Sequence, residues 1–567
     1  MGQLLYRSGI AGLALLTLLG TGLAGGFPCR AQSSTILING KILTLDERSS
    51  IAEALAFSGE KIVAVGANSD VLAYRRVGTR IVDLGGRTVI PGLIDSHIHA
   101  IRAGLTFETE VSWIGATSIA EALGRIRRAA LTRKPGDWIV VAGGWTPAQF
   151  TEHRRPTEDE VASAAPSHPV YIQFFYRAVL LTSIARRKLG IVSDGDLPAN
   201  ASFETSADGT PTGWIKGNGA AVIAIFSRLP RPTLAESVRG TQRFMGELNR
   251  LGITGVIDPG GYNLSPEDYE ALFRLSAADG LGVRVAFSIC APRRGSELED
   301  LQTLTRFLPM GFANGMLRFN GIGERVTWDM NNNDDPTQDQ KDAYYRIARW
   351  AAGRGLTLTM HWNNDRSVHQ LLEIFERVDR EVPLRNLRWS IAHLHDATQA
   401  SLERMNAMGI GWLMQNGLYF AAPYYLAGRG KAVSRMPPIK TALQLGLKVG
   451  GGTDAHRVMS YNPFVSLRWM IDGRTVDGLP TRGRSELLSR EEALRIYTSG
   501  SAWFAFAENE RGSLTPGRLA DLAVLDRDYL TIPTGDIAAL QSVLTVVGGR
   551  VVHAAGPFSD VLKQAAP

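Results

Sequence analysis

Cysteine is almost missing from this chain: of 567 residues only Cys29 and Cys290 are cysteines. A disulfide-stapled scaffold is thereby excluded. Dense runs of lysine and arginine are missing too. With a formal net charge of +6 and a pI near 9.3, the chain carries a mild surface bias and not the footprint of a nucleic-acid binder. Long apolar runs are confined to the start. Arg7 precedes an uncharged stretch from Ser8 to Cys29 rich in Leu, Ala and Gly, and Cys29-Arg30-Ala31 offers small residues at −3 and −1 of a cleavage site. Residues 1–31 therefore read as a signal peptide, and a periplasmic or secreted protein is expected. The alternative is a retained anchor, because the stretch is close to the shortest bilayer span. After cleavage no stable membrane span is expected. Cys290, on the run Val-Arg-Val-Ala-Phe-Ser-Ile-Cys, reads as a core residue.

What is present begins at residues 89–99, Val-Ile-Pro-Gly-Leu-Ile-Asp-Ser-His-Ile-His. In a strand, residues i and i+2 share a face, so His97 and His99 can reach one cation. A bare His-x-His is weak evidence, and its weight depends on what else the chain brings to the same place.

The 44% hydrophobic and 20% charged composition fits a globular chain of more than one unit. From residue 32 to 88, short strand-like runs such as Thr35-Ile-Leu-Ile and Lys61-Ile-Val-Ala-Val alternate with Gly, Asn and Asp turns. Residues 506–567 repeat that style, and the two ends read as halves of one composite β-sandwich. Between them, residues 89–505 show the βα rhythm of a parallel barrel. Eight candidate strands are counted, ending at His99, Asp258, Ile289, Asn320, His361, His393, Asn416 and Asp454, the closing number of a (β/α)8 TIM barrel. Residues from about 101 to 250 are too many for one connection and read as an inserted subdomain.

The strand ends supply His97, His99, Asp258, Arg318, His361, His393, Asn416 and Asp454. Four of only ten histidines fall at three of the eight ends. Neutral imidazoles with one carboxylate suit Zn²⁺ or a first-row neighbour in an open, catalytic site. Such an ion brings water to a pKa near about 7. Asp454 would then shuttle the proton from water to the leaving nitrogen.

These pieces, with Thr357-Leu-Thr-Met-His-Trp-Asn-Asn-Asp, Ile391-Ala-His-Leu, Gly452-Thr-Asp-Ala and Gly512-Ser-Leu-Thr-Pro-Gly-Arg-Leu-Ala-Asp-Leu-Ala-Val-Leu-Asp, resemble the amidohydrolase superfamily, in particular its family 3 branch. The resemblance spans nearly all of the chain after residue 31. It implies metal-dependent hydrolysis of a non-peptide carbon–nitrogen bond, with His97, His99, His361 and His393 as ligands and Asp454 as shuttle or ligand.

There are departures. The branch usually bridges two metals with a carboxylated lysine in Lys-x-Phe-x-Asp-Gly, and here the text is Leu317-Arg318-Phe319-Asn320-Gly321. An arginine is not expected to form that carbamate, so one ion is favoured over two, with Glu324 and Lys216 as candidate replacement bridges. Where the branch has Asp-Gly-His and a later Asn, this chain has Arg177 and Thr182. Arg177 and Arg318 are candidates to bind an anionic substrate group, with Asn416 and Trp362 as further substrate contacts. Trp113, Trp145, Phe150, Trp328, Tyr419, Phe420, Tyr424 and Tyr425 are expected around the mouth. The expected partner is a small-molecule amide, with no nucleic acid, and a homo-oligomer is open. The alternatives are a metal-dependent deaminase, a cyclic amide hydrolase, and a non-catalytic descendant that binds a small molecule.

Overall fold

The computed structural model describes residues 34–261, 264–426 and 435–563. The leader expected over 1–31 lies outside the described residues, as do the side chains of Tyr424 and Tyr425. Among the described residues no helix is long and apolar enough to cross a membrane.

The middle of the chain lays down eight parallel strands: β1 (Leu93–Asp95), β2 (Ile253–Asp258), β3 (Arg284–Ile289), β4 (Leu317–Ile322), β5 (Thr359–Trp362), β6 (Ser390–His393), β7 (Gly411–Gln415) and β8 (Val449–Gly452). They pair as two four-stranded sheets, β4-β3-β2-β1 and β5-β6-β7-β8. The sheets meet at both edges. Ser96 N donates to Gly451 O over 2.9 Å, Ile322 N donates to Thr357 O over 2.9 Å, and Ile322 forms an isolated parallel bridge with Leu358. The ladders thus stop short of one continuous eight-stranded pairing, with only single links at the two seams. Seven of the strands are lined with buried Val, Ile, Leu or Ala and β5 with Met360 and Trp362, as strands covered on both faces should be.

Helices run between the strands and present one apolar stripe inward. The helix Leu234–Arg250 opens with a capping box between Thr233 and Glu236, and Gln338–Gly353 opens with one between Thr337 and Gln340. Because all eight strands point the same way, their C-terminal ends share one rim. At β8 three glycines make the approach to β1 feasible. A Cβ on Gly452 would lie 2.7 Å from the Cβ and N of His97, and one on Gly450 would lie 2.7 Å from Ser96 Oγ. Any side chain there would push His97 out of place.

An inserted five-stranded sheet, built from 139–217, falls in the chain between the helices Ala100–Thr106 and Leu234–Arg250, which pack directly on each other at Gly104 and Gly240. The run from Pro169 to Phe175 supplies its strand Val170–Phe174. The chain ends form two further sheets. A six-stranded one joins 41–43, 51–52 and 88–91 to 522–525, 542–547 and 550–554, and a four-stranded one holds 34–38, 54–58, 61–66 and 80–83. Leu37, Phe57, Val82, Leu522, Leu544 and Phe558 belong to one apolar cluster between them. Arg284 of β3 is tied to Asp521 of the tail at 2.8 Å.

Several expectations fail here. Strand β4 continues through Gly321 to Ile322, two residues past its expected end, so Arg318 stands near its start. There its Nη1 donates to Ala505 O, at the end remote from the rim. Trp113, Trp145 and Phe150 are buried in one cluster with centroids 4.9–6.1 Å apart, apolar packing and not a mouth.

Candidate metal centre and active site

The rim gathers six side chains. Strand β1 ends in the turn that carries His97 and His99, held from behind by Asp95. Asp95 accepts from His97 N and Thr453 N, each over 3.1 Å, and from Thr453 Oγ1 over 2.6 Å. Burial raises the Asp95 carboxyl to about 7 against the pull of Thr453 and His97. His361 lies on β5, His393 ends β6, and Asp454 follows β8.

At the centre is Glu324, two residues after β4 and 2% exposed. Its Oε2 lies 3.3 Å from His97 Nε2, 3.1 Å from His361 Nδ1 and 3.5 Å from His393 Nε2, and its Oε1 lies 3.4 Å from His99 Nε2. Asp454 Oδ1 is 3.1 Å from His99 Nε2 and 3.7 Å from His97 Nε2, and its Oδ2 is 4.0 Å from His393 Nδ1. His361 Nδ1 and His393 Nε2 stand 2.8 Å apart. Two ring nitrogens with the same kind of lone pair approach that closely either around a shared proton or because both point at one cation.

The rings are aimed from outside. His99 Nδ1 lies 2.8 Å from Gly260 O, which fixes Nδ1 as the protonated nitrogen and leaves Nε2 facing the centre. Gly261 leaves room for that ring, since a Cβ there would sit 2.8 Å from His99 Cε1 and its φ is +138°. Gln415 Oε1 accepts from His393 N over 2.9 Å. Both ring nitrogens of His97 are buried, Nδ1 with no partner and Nε2 with only the carboxylates of Glu324 and Asp454 at 3.3 and 3.7 Å, an arrangement that a bound cation would complete.

Electrostatics agree with the geometry. Burial pushes Glu324 up, but the His361 charge and hydrogen bonds from His361, His393 and His97 hold it well below the usual carboxylate range. Burial likewise opposes the His99 hydrogen bond and the His393, His99 and His97 charges at Asp454, which ends at about 2. His393 is lowered to about 4 by burial and then by the charge of His361, so its imidazole is neutral and offers one ring-nitrogen lone pair for coordination at neutral pH. Three overlapping sets, His97/His393/Asp454, His97/His99/Glu324 and Glu324/His361/His393, each bring their donor atoms within 4.8 Å of one another. Imidazole nitrogens plus carboxylates suit Zn²⁺ and its neighbours, and the donors present fit such an ion.

His97, His99, His361, His393 and Asp454 are thus brought together. Of the two candidate bridges, Glu324 lies among them. Lys216 is exposed on the inserted strand Pro211–Gly217, opposite Ala178, and is no bridge. The argument for one ion from Arg318 falls with that residue's position, and Arg318 meets no substrate either. Arg177 is exposed in the hairpin turn between Val170–Phe174 and Ala178–Leu181, where it lines a surface cleft with Arg154, Arg155 and Glu204. It is not paired with Arg318 as an anion clamp. Trp362 alternates with His361 on β5 and so faces outward, its Nε1 donating to Ser367 Oγ over 3.2 Å, buried from any substrate. Asn416 ends β7 with both amide atoms buried and unpartnered, a group able to meet a ligand. Asp258 is structural: its oxygens accept from Ile101 N and Gly260 N. Cys290 is buried. Glu324 lies beyond the strand, where no spacing rule points to its central place.

The family 3 model of the amidohydrolase family matches residues 80–553. The chain is 26% identical over 540 residues to an N-substituted formamide deformylase of Arthrobacter pascens, covering 91% of this chain and 97% of that protein. It is 24% identical to the putative amidohydrolase YtcJ of Bacillus subtilis, covering 91% and 98%. Among solved structures, an uncharacterized metal-dependent hydrolase from Pyrococcus horikoshii superposes with a TM-score of 0.63 at 22% identity, covering 89% of this chain and 99% of that one. The zinc complex of the atrazine chlorohydrolase TrzN from Arthrobacter aurescens superposes at 0.52 and 17% identity, covering 94% and 99%. With the family match spanning most of its length, the chain belongs to the amidohydrolase family and is a hydrolase.

Proposed function

We propose that the protein hydrolyses a non-peptide amide or N-acyl carbon–nitrogen bond in a small molecule. On this reading the centre would take two divalent ions, zinc first among them, with the Glu324 carboxylate available as a ligand to both. The observation that carries it is the Glu324 carboxylate with four imidazole nitrogens within 3.5 Å of its oxygens. His97, His99 and Asp454 would hold one ion, and His361 and His393 the other. When bound, such ions supply Lewis acidity and make water a nucleophile near neutral pH. Similarity to an N-substituted formamide deformylase supports the choice of bond.

The chain's own groups then divide the work. Asp454, ionised at neutral pH, takes a proton from the attacking water and returns it to the leaving nitrogen. Asp95 and Gly260 hold His97 and His99 in register, and the Asn416 amide is placed to donate to the substrate carbonyl or accept from its N–H. We also read the eight strands as a (β/α)8 barrel carrying the insertion about 101–250, and the two end sheets as a composite sandwich from 32–88 and 506–567. Cleavage after residue 31 would deliver the enzyme to the periplasm or medium.

The test is metal analysis of the purified, zinc-reconstituted protein together with a panel of N-formyl amines, N-acyl amines, cyclic amides and exocyclic amines. About two equivalents of zinc and turnover of a linear amide are expected. Less than about half an equivalent, or turnover of exocyclic amines alone, would overturn the reading.

A further inference from the structure

Beside the metal centre lies a second buried polar cluster with the opposite character. Arg102 stands one helical turn after His99 on the helix Ala100–Thr106, and Arg457 stands three residues after Asp454, so both chains of the rim feed it. Arg102 is 6% exposed and Arg457 4%. The Nε of each is buried with no hydrogen-bond partner, and among the described residues no carboxylate lies within ion-pair distance of either guanidinium. Arg457 stacks over Phe226 with its carbon 3.6 Å from the ring centroid, which orients the planar fork without satisfying it.

The nearby acids are otherwise engaged. Glu110 pairs with His456 Nε2 at 2.9 Å and accepts from Thr106 Oγ1, and Asp258 gives its oxygens to backbone amides. Glu110, one helical turn from Arg102 through Thr106 and joined to the neighbour of Arg457 through His456, thus has its oxygens taken by groups other than the two guanidiniums. A further donor is spare: Gln173, whose Oε1 is taken by Tyr171 over 3.0 Å, keeps a buried Nε2 with no partner. Tyr171 packs edge-on against Phe226, with centroids 5.6 Å apart, the same ring that Arg457 covers, which ties Gln173 to the cluster. Buried cations short of counter-charge are costly, and planar donor forks match a carboxylate.

We infer that Arg102 and Arg457 form an anion-recognition site for a carboxylate carried by the amide substrate, held at fixed distance from the metal centre. This rests on the amide-hydrolase reading, and it replaces the Arg177–Arg318 pair with one that the fold places beside the centre. It makes the preferred substrate an amide bearing a carboxylate on one of its two substituents. A free inorganic anion has the same chemistry and is separated by the test.

The probe is succinate, with acetate and inorganic phosphate as comparison anions, titrated calorimetrically into the full chain in both metal-free and zinc-loaded form. Wild type is expected to bind succinate without metal, more tightly than phosphate. Arg102→Met and Arg457→Met are each expected to weaken it about 10- to 100-fold, with Arg457→Lys intermediate. In turnover, the kcat/KM ratio of an N-succinyl amine to its neutral N-butyryl counterpart should collapse in the same variants. Circular dichroism reports folding, and if a methionine variant fails to fold, the lysine variant and the wild-type ratio carry the test. Equal succinate affinity in folded variants, phosphate bound as tightly as succinate, or a wild-type ratio near one would overturn the inference. A protein that binds succinate through these arginines but takes no zinc would overturn the hydrolase reading and leave the anion site standing.

Discussion

Arg284 and Arg457 are equally buried, at opposite ends of the parallel strands, and differ in one respect. Arg284, at the start of β3, meets Asp521 through two parallel bonds, Nε to Oδ2 at 2.8 Å and Nη2 to Oδ1 at 3.2 Å. Its neighbours at that end are similarly served: Arg318 reaches Ala505 O and Arg388 reaches Glu508. At the other rim, His97, Asn416, Arg102 and Arg457 all hold buried polar atoms without partners. The lower end has its own exceptions in Arg511 Nη1 and Asn320 Oδ1, but the weight is on the upper rim. Polar groups left unsatisfied inside a fold are costly. Their concentration where strands end marks the face kept for ligands, while the completed pairs mark the face that holds the molecule together.

Substitutions should separate the two faces. The largest effect is expected at the rim: Glu324→Gln removes the charge shared by four histidines and should lower kcat/KM by about 10³-fold or more, with zinc stoichiometry reduced by plasma emission analysis. Asp454→Asn should lower kcat by about 10²- to 10⁴-fold while much of the zinc stays bound. Near wild-type turnover would show that Asp454 moves no proton. Neither change should reduce the folding stability of the zinc-free protein by more than a small fraction. At the other end the reverse is expected. Arg284→Met leaves Asp521 buried without its counter-charge and should cost about 3–5 kcal/mol in denaturant unfolding. Loss of activity without loss of stability there would break the contrast.

A smaller effect belongs to the joint between chain ends. Lys41 and Thr88 bond Asp528 at 2.7 and 3.0 Å. Burial raises this carboxyl, but Lys41, the Leu530 amide, Thr531 and Thr88 outweigh it and bring it to about 2. A carboxyl depressed in the folded state stabilises above its unfolded value, about 3.9, and that contribution disappears as pH falls from about 4 to 2. The pair is partly exposed, so Asp528→Asn should cost no more than about 1 kcal/mol at pH 7 and flatten the acid limb of the stability curve.

How much of this could be read from the sequence depends on distance along the chain. The eight strands were legible because each is a short, mostly apolar run, and His97, His99, His361, His393 and Asp454 fall at the ends of four of them. The inserted sheet was legible only as excess length. Glu324 was harder, since it follows β4 by two residues and its place depends on where that strand stops. Asn320-Gly321 reads as a turn in the sequence, whereas Gly321, at φ +98°, continues the ladder to Ile322. Trp362 was misplaced for a different reason: neighbours on a strand face opposite ways, so a tryptophan beside His361 must point at the helices. Arg102 and Arg457 carry no motif. Only the docking of the insertion against the loop after β8 makes them neighbours.

The smallest expected change is also the sharpest test of where the bridging group resides. If Arg318 occupied the place of a metal-bridging lysine, Arg318→Lys in the presence of bicarbonate would create a carbamate and raise the zinc content. The structure puts its side chain at the start of β4, bonded to Ala505 O and near Gly311, with Glu324 six residues further on at the rim. A lysine there can reach no imidazole of the centre. Zinc stoichiometry and its bicarbonate dependence should therefore match wild type, and the cost should be confined to the lost bond to Ala505, about 1 kcal/mol. A bicarbonate-dependent gain of metal would mean that β4 is shifted along its axis and would return the bridging role to position 318.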